Sequence, residues 1–129
     1  MCGVLFMNEE LKSKIMSVYK ECKAFLTSHE FVDVYLITKH TSEDIWAEFA
    51  RQINYTNMLL AKQKDLYFLL TLLSEAKSGI SSGTPSGNKA LKVIDGYSKQ
   101  IELLLKSYNS VIIGQRWILD YYNNSRGLY

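Results

Sequence analysis

The chain is short of residues that interrupt helices and of residues that do chemistry. Proline occurs once, at position 85, and cysteine and histidine twice each. A single proline leaves long stretches with nothing to stop an α-helix. Cys2 and Cys22 are too few for a disulfide framework and lack C-x-x-C spacing, so a reduced, cytoplasmic setting is the default expectation. His29 and His40 have no H-E-x-x-H pattern and no neighbouring Cys/Asp cluster, so they point to no metal site. No apolar run approaches the ~20 residues of a membrane span, and no membrane partner is expected. The opening Met1-Cys-Gly-Val-Leu-Phe-Met7 lacks a basic n-region and a small-residue cleavage site, so it is read as an apolar tail rather than a secretory signal. The formal net charge of +2 is too weak to demand a polyanion partner by itself.

Catalytic constellations are missing as well. Glu43, Asp44 and Glu48 cluster at one expected helix start, where the cap and the helix dipole account for them. Cys22 falls on an apolar stripe and behaves there as a small hydrophobe. Cys2 has no base nearby in sequence to activate it. The glycines around Gly83 follow neither G-x-x-x-x-G-K-[S/T] nor G-x-G-x-x-G, so a phosphate cradle is not indicated. The expectation is a protein with no catalytic residues, no cofactor, no metal and no small-molecule substrate.

What remains is helical pattern. The composition, 47% hydrophobic and 22% charged, is that of an ordinary ordered domain, and 129 residues fit one, spanning 1–129. Ser78–Asn88 holds three glycines and the proline, and reads as a flexible Gly/Ser loop. On either side, about 42–77 and 88–123 carry helical periodicity without proline. Equal arms joined by one loop predict a long helical hairpin. A shorter N-terminal helix is expected at about 9–27, capped by Asn8 and striped by Leu11, Ile15, Val18, Tyr19, Cys22, Phe25 and Leu26. Residues 29–39 are β-branched and aromatic, but a lone strand would have no partner. A short helix capped by Ser28 is the reading there. The fold class is therefore all-α, an antiparallel bundle built on the hairpin.

The two arms differ. In the first, Thr41 and Asp44 match a capping box, and the stripe is read as Trp46, Phe49, Ile53, Thr56, Leu60, Tyr67 and Leu70, with Gln63 as a polar interruption. Leu66–Leu73 is apolar nearly all round and is expected to be covered by more than one neighbour. Asn54–Asn57 is a run of poor helix formers, where a kink or break is expected. In the second arm, Ala90, Ile94, Tyr97, Ile101, Leu104, Tyr108, Val111, Gln115, Ile118 and Tyr122 follow a strict four-three alternation, a coiled-coil-like seam with Gln115 its one polar member. Gly114 is the expected bend. Leu128 and Tyr129 are expected to fray.

Two surface features suggest partners. Lys92, Lys99 and Lys106 recur every seven residues on the outward side of that seam. Residues 77–129 hold seven Lys/Arg against three Asp/Glu, and residues 1–76 eight against ten. The lysines, with Arg116, form a candidate polyanion contact, for nucleic acid or an acidic partner. The C-terminal mixture of aromatics and arginine leaves Trp117, Tyr121, Arg126 and Tyr129 over from the seam, a composition typical of interface anchors. The short N-terminal helix cannot cover both long arms, which adds homo-oligomerisation to the expectations. The function expected is a protein–protein interaction or assembly module, an adaptor, chaperone, inhibitor or structural subunit. The second reading is a nucleic-acid-binding or packaging protein. At fold level the architecture is similar to small phage or viral helical proteins and export chaperones, a likeness that carries no residue across.

Overall fold

The structure, a computed structural model, describes residues 9–27 and 42–126, with the side chains of 42–45, 125 and 126 left aside. The expectations for the apolar tail, the caps at Asn8, Ser28 and Thr41, the helix at 29–39, both histidines, Cys2 and the last residues lie outside them. Three helices make up the described chain: α1, Glu9–Thr27; α2, Ser42–Ser78; and α3, Pro85–Arg126. No strand occurs among the described residues, and the all-α bundle is as expected.

The α2 and α3 helices form the antiparallel hairpin. Lys77 meets Asp95 at 2.9 Å near the loop, Gln63 meets Asn109 midway, and the Phe49 and Tyr122 rings stack 6.1 Å apart at the far end. The expected α3 seam is the one used. Ile94, Ile101, Leu104, Tyr108, Gln115 and Tyr122 are buried, and Ala90, Tyr97, Val111 and Ile118 are half-buried. Regular four-three spacing keeps one stripe on the partner along the length of the hairpin.

α1 packs antiparallel to α2. Lys14 lies over the Phe68 ring, Lys62 pairs with Glu21 at 3.2 Å, and Phe25 stacks on Tyr55 at 5.2 Å. Ile15 and Cys22 enter the core between the long helices. The Tyr108 hydroxyl donates to the Cys22 carbonyl at 2.6 Å, which ties α1 to α3 as well. Burial holds the Cys22 thiol above its ordinary range, so this free thiol packs as an apolar side chain.

Four details of the hairpin differ from expectation. First, the α2 stripe is shifted by one residue at every second step. The buried or half-buried positions are Phe49, Gln52, Thr56, Leu59, Gln63, Leu66, Leu70 and Leu73, while Trp46, Ile53, Leu60 and Tyr67 are exposed. The cause is a buried polar layer that hydropathy alone would place in solvent. The Gln115 amide donates to Gln52 Oε1 at 2.9 Å and to Thr56 Oγ1 at 3.1 Å. The Thr56 hydroxyl donates to the Gln52 carbonyl at 2.8 Å, and Gln52 Nε2 to Glu48 at 2.9 Å. Because each polar group finds a partner, burial is tolerated. Second, Leu66–Leu73 is not covered on every side. Leu66, Leu69 and Leu73 are buried, but Tyr67 and Phe68 are about half exposed. Among the described residues, one hairpin partner and one short helix cover two sides of α2 and leave the third exposed.

Third, α2 runs unbroken through Asn54–Asn57. Thr56 and the buried layer stabilise this stretch through tertiary contacts, which override weak local propensity. Fourth, the loop is narrower than 78–88, because α2 ends at Ser78 and α3 begins at Pro85. Thr84 caps α3, its Oγ1 accepting from the Gly87 N–H at 3.0 Å and its carbonyl from the Asn88 N–H at 2.8 Å. Proline at the first helical position loses no hydrogen bond there. Asn88 Oδ1 folds back to the Gly83 N–H at 3.1 Å, and Gly83 takes the left-handed φ of 92° that closes the turn.

Candidate functional site

With the seam closed, the chemistry left to solvent sits on the outer sides of α2 and α3. No group of three His, Cys, Asp or Glu among the described residues could hold a metal ion. At the start of α3 the Gly87 and Asn88 N–H groups are both taken by Thr84 rather than presented to an anion. No described helix is long and apolar enough to cross a membrane.

The outer side of α3 has two zones. Near the loop, Lys92, Lys99 and Lys106 are all exposed, and seven-residue steps space them ~10 Å apart. Leu103, 63% exposed, stands between the second and third lysines. None of the ion pairs among the described residues engages these lysines; the nearby Asp95 is taken by Lys77. Arg116 is exposed and flanks the same face. Towards the end of α3 the lysines give way to Ile113 and Trp117, 55% and 76% exposed. Tyr121 is exposed beside them, its ring edge-on to buried Tyr122 at 6.4 Å. Trp117, Tyr121 and the three lysines therefore come together along one helix side, lysines at one end and aromatics at the other, whereas Arg116 lies at the aromatic end about 100° round from that line. The Arg126 side chain and Tyr129 lie outside the described residues.

The outer side of α2 was not singled out by sequence as a surface. Trp46, Ala50, Ile53, Asn57, Leu60, Lys64, Tyr67 and Thr71 follow their own four-three alternation, and all are exposed. Ala47, Asn54, Ala61 and Phe68, also exposed, lie alongside. Lys64 is the only charge among these twelve residues. The four-three stripe lies on the flank of the seam opposite Tyr55, Lys62 and Leu69, the flank that α1 covers, and Phe68 stands at its edge, where Lys14 of α1 reaches over the ring. A signal was present: the first-arm stripe read from sequence mixed members of two interleaved seams, and only one of them could face α3.

Tyr122 anchors the far end of the hairpin beneath the α3 aromatics. Its hydroxyl is buried without a hydrogen-bond partner among the described residues, and burial pushes its pKa up to about 12. Neither a protein-family model, nor a curated protein, nor a solved structure matches the chain.

Proposed function

We propose that the protein is a non-enzymatic protein–protein interaction or assembly module that works as a homo-oligomer. The observation behind this reading is surface apolarity on a closed fold. Among the described residues, eleven large apolar side chains are between 37% and 76% exposed, gathered mainly on the outer sides of α2 and α3, although the seam is already filled. Single exposed apolar residues are ordinary, but contiguous ones mark interaction sites. Trp117 with Ile113 and Tyr121 has the make-up of an interface anchor. An adaptor, a chaperone, an inhibitor and a structural subunit all need such a surface. A cytoplasmic setting, where Cys22 stays a free thiol, belongs to the same reading.

The test is a photo-crosslinking amino acid at position 117 in the native host, with position 20 on the charged side of α1 as control. A discrete adduct formed from position 117 alone supports the reading. Its purified partner should bind at least tenfold more weakly to Trp117→Ala/Tyr121→Ala. Adducts absent at 117, or identical at both positions, would overturn it.

A second reading, contact with nucleic acid or another polyanion, is favoured by the three exposed lysines in line with Trp117. Three to four phosphate contacts predict a log–log salt slope of about −3, reduced by Lys92→Gln/Lys99→Gln/Lys106→Gln. No retention on heparin at low salt removes this reading.

A further inference from the structure

The outer face of α2, with Lys64 its single charge, has the pattern of a second helix-packing seam, and we propose that it is occupied by the same face of a second copy, antiparallel about a two-fold axis at the level of Met58. This deepens the homo-oligomer reading above and rests on it. Large residues fill one heptad position, Ile53, Leu60 and Tyr67, with Trp46 extending the line. The alternate position holds Ala50, Asn57, Lys64 and Thr71, small or uncharged except for the lysine. A seam of alternating large and small residues is complementary to itself when one copy is reversed. Leu60 of one copy then meets Asn57 of the other, Tyr67 meets Ala50, and Ile53 lies along the stem of Lys64.

Charge favours the reversed arrangement. A parallel pair would set each Lys64 against its own copy and stack large residues on large ones. Reversal moves each Lys64 opposite Ile53, about eleven residues or ~16 Å along the axis from the other lysine, and opposes the helix dipoles favourably. A charged partner would find only Lys64 on the stripe itself and Lys14 at the Phe68 edge, whereas a second copy needs no such pairing. Area is sufficient too. Ile53, Leu60, Tyr67 and Phe68 are 41–52% exposed. At about half of the 150–250 Å² an aromatic can bury, and with the small residues between them, the face reaches on the order of 700 Å² per copy, near the ~800 Å² of a standard interface. The two-fold axis makes the contact isologous and closed, so it ends at a dimer.

Sedimentation across 1–200 μM tests the contact. The full chain should be a dimer at the upper end, and Ile53→Glu/Leu60→Glu a monomer with unchanged helical circular dichroism. Both side chains are exposed, so a folded monomer is the expected product. Trp117→Glu, on the other helix, should stay dimeric. Orientation is read with an ~8 Å bis-maleimide in a Cys2→Ser background. Leu60→Cys should crosslink to its own copy, while Ala47→Cys, over 30 Å from its copy, should not. Crosslinking at both positions overturns the antiparallel arrangement. A monomeric wild type overturns the dimer altogether. A dimer that survives Ile53→Glu/Leu60→Glu removes this face while leaving the homo-oligomer reading in place.

Discussion

Replacing Gln115 by leucine should destabilise the protein although leucine is the more apolar side chain and the site is only 1% exposed. Gln115 donates to both Gln52 and Thr56. Its loss leaves Gln52 Oε1 without that donor in a position 5% exposed, at a cost of roughly 1–3 kcal/mol, with about 1 kcal/mol more for each hydrogen bond broken. Burying the leucine side chain returns ~1–2 kcal/mol. The expected net loss is about 1–4 kcal/mol. Removing the whole layer should behave differently. In Gln52→Leu/Thr56→Val/Gln115→Leu no buried acceptor is orphaned, and Glu48 keeps Arg51 at 2.6 Å. Stability should return to within about 1 kcal/mol of wild type, or exceed it. The signature is therefore a coupling energy of about 1–3 kcal/mol between the three sites. Urea unfolding followed at 222 nm reads it, with protein concentration held constant because the proposed self-association would shift the midpoint. A Gln115→Leu variant as stable as wild type, or a triple variant that merely sums its singles, would refute the account of this layer.

Three further outcomes follow from particular atoms. A Cβ on Gly87 would lie 2.0 Å from the Ser81 carbonyl oxygen, whereas one on Gly96 or Gly114 meets nothing within 4 Å; Gly87→Ala should lower the melting temperature, and Gly96→Ala and Gly114→Ala should each raise stability by about 0.5–1 kcal/mol. Tyr108→Phe removes the bond to the Cys22 carbonyl and should cost about 1–2 kcal/mol, with hydrogen exchange in α1 rising more than in α2 or α3. Burial raises the pKa of Tyr55 and Tyr122 from 10.0 to about 12, and that of Tyr108 in the same direction. An unfolded chain releases these protons first, so the stabilisation is whole below pH 10 and is lost as pH rises towards 12. Absorbance near 295 nm should therefore show a late group of tyrosines ionising together with the loss of helicity; complete ionisation before any loss of helicity contradicts this.

Much of the fold was legible because helices declare themselves locally. Spacing of apolar residues, a single proline and a glycine cluster were enough to place α1 at Glu9–Thr27 and both long helices within a few residues of their ends. The α3 seam was legible in full because its only polar member, Gln115, interrupts an otherwise apolar run. Lys92, Lys99 and Lys106 could be placed outward from that seam by period alone.

On α2 the sequence left two answers. Two four-three stripes interleave along it, one through Phe49, Gln52, Thr56 and Leu59, the other through Trp46, Ala50, Ile53 and Asn57. Local hydropathy prefers Ile53 to Gln52 and Leu60 to Leu59 no less than the reverse. Tertiary structure chose, because only the first stripe sets Gln52 and Thr56 against Gln115, and a buried amide must meet partners that lie some sixty residues away. That choice turned Ile53, Leu60 and Tyr67 outward. Periodicity, a property of one helix, determined that these residues share a stripe; which neighbour the stripe meets depended on polar groups on another helix, and no local pattern carries that.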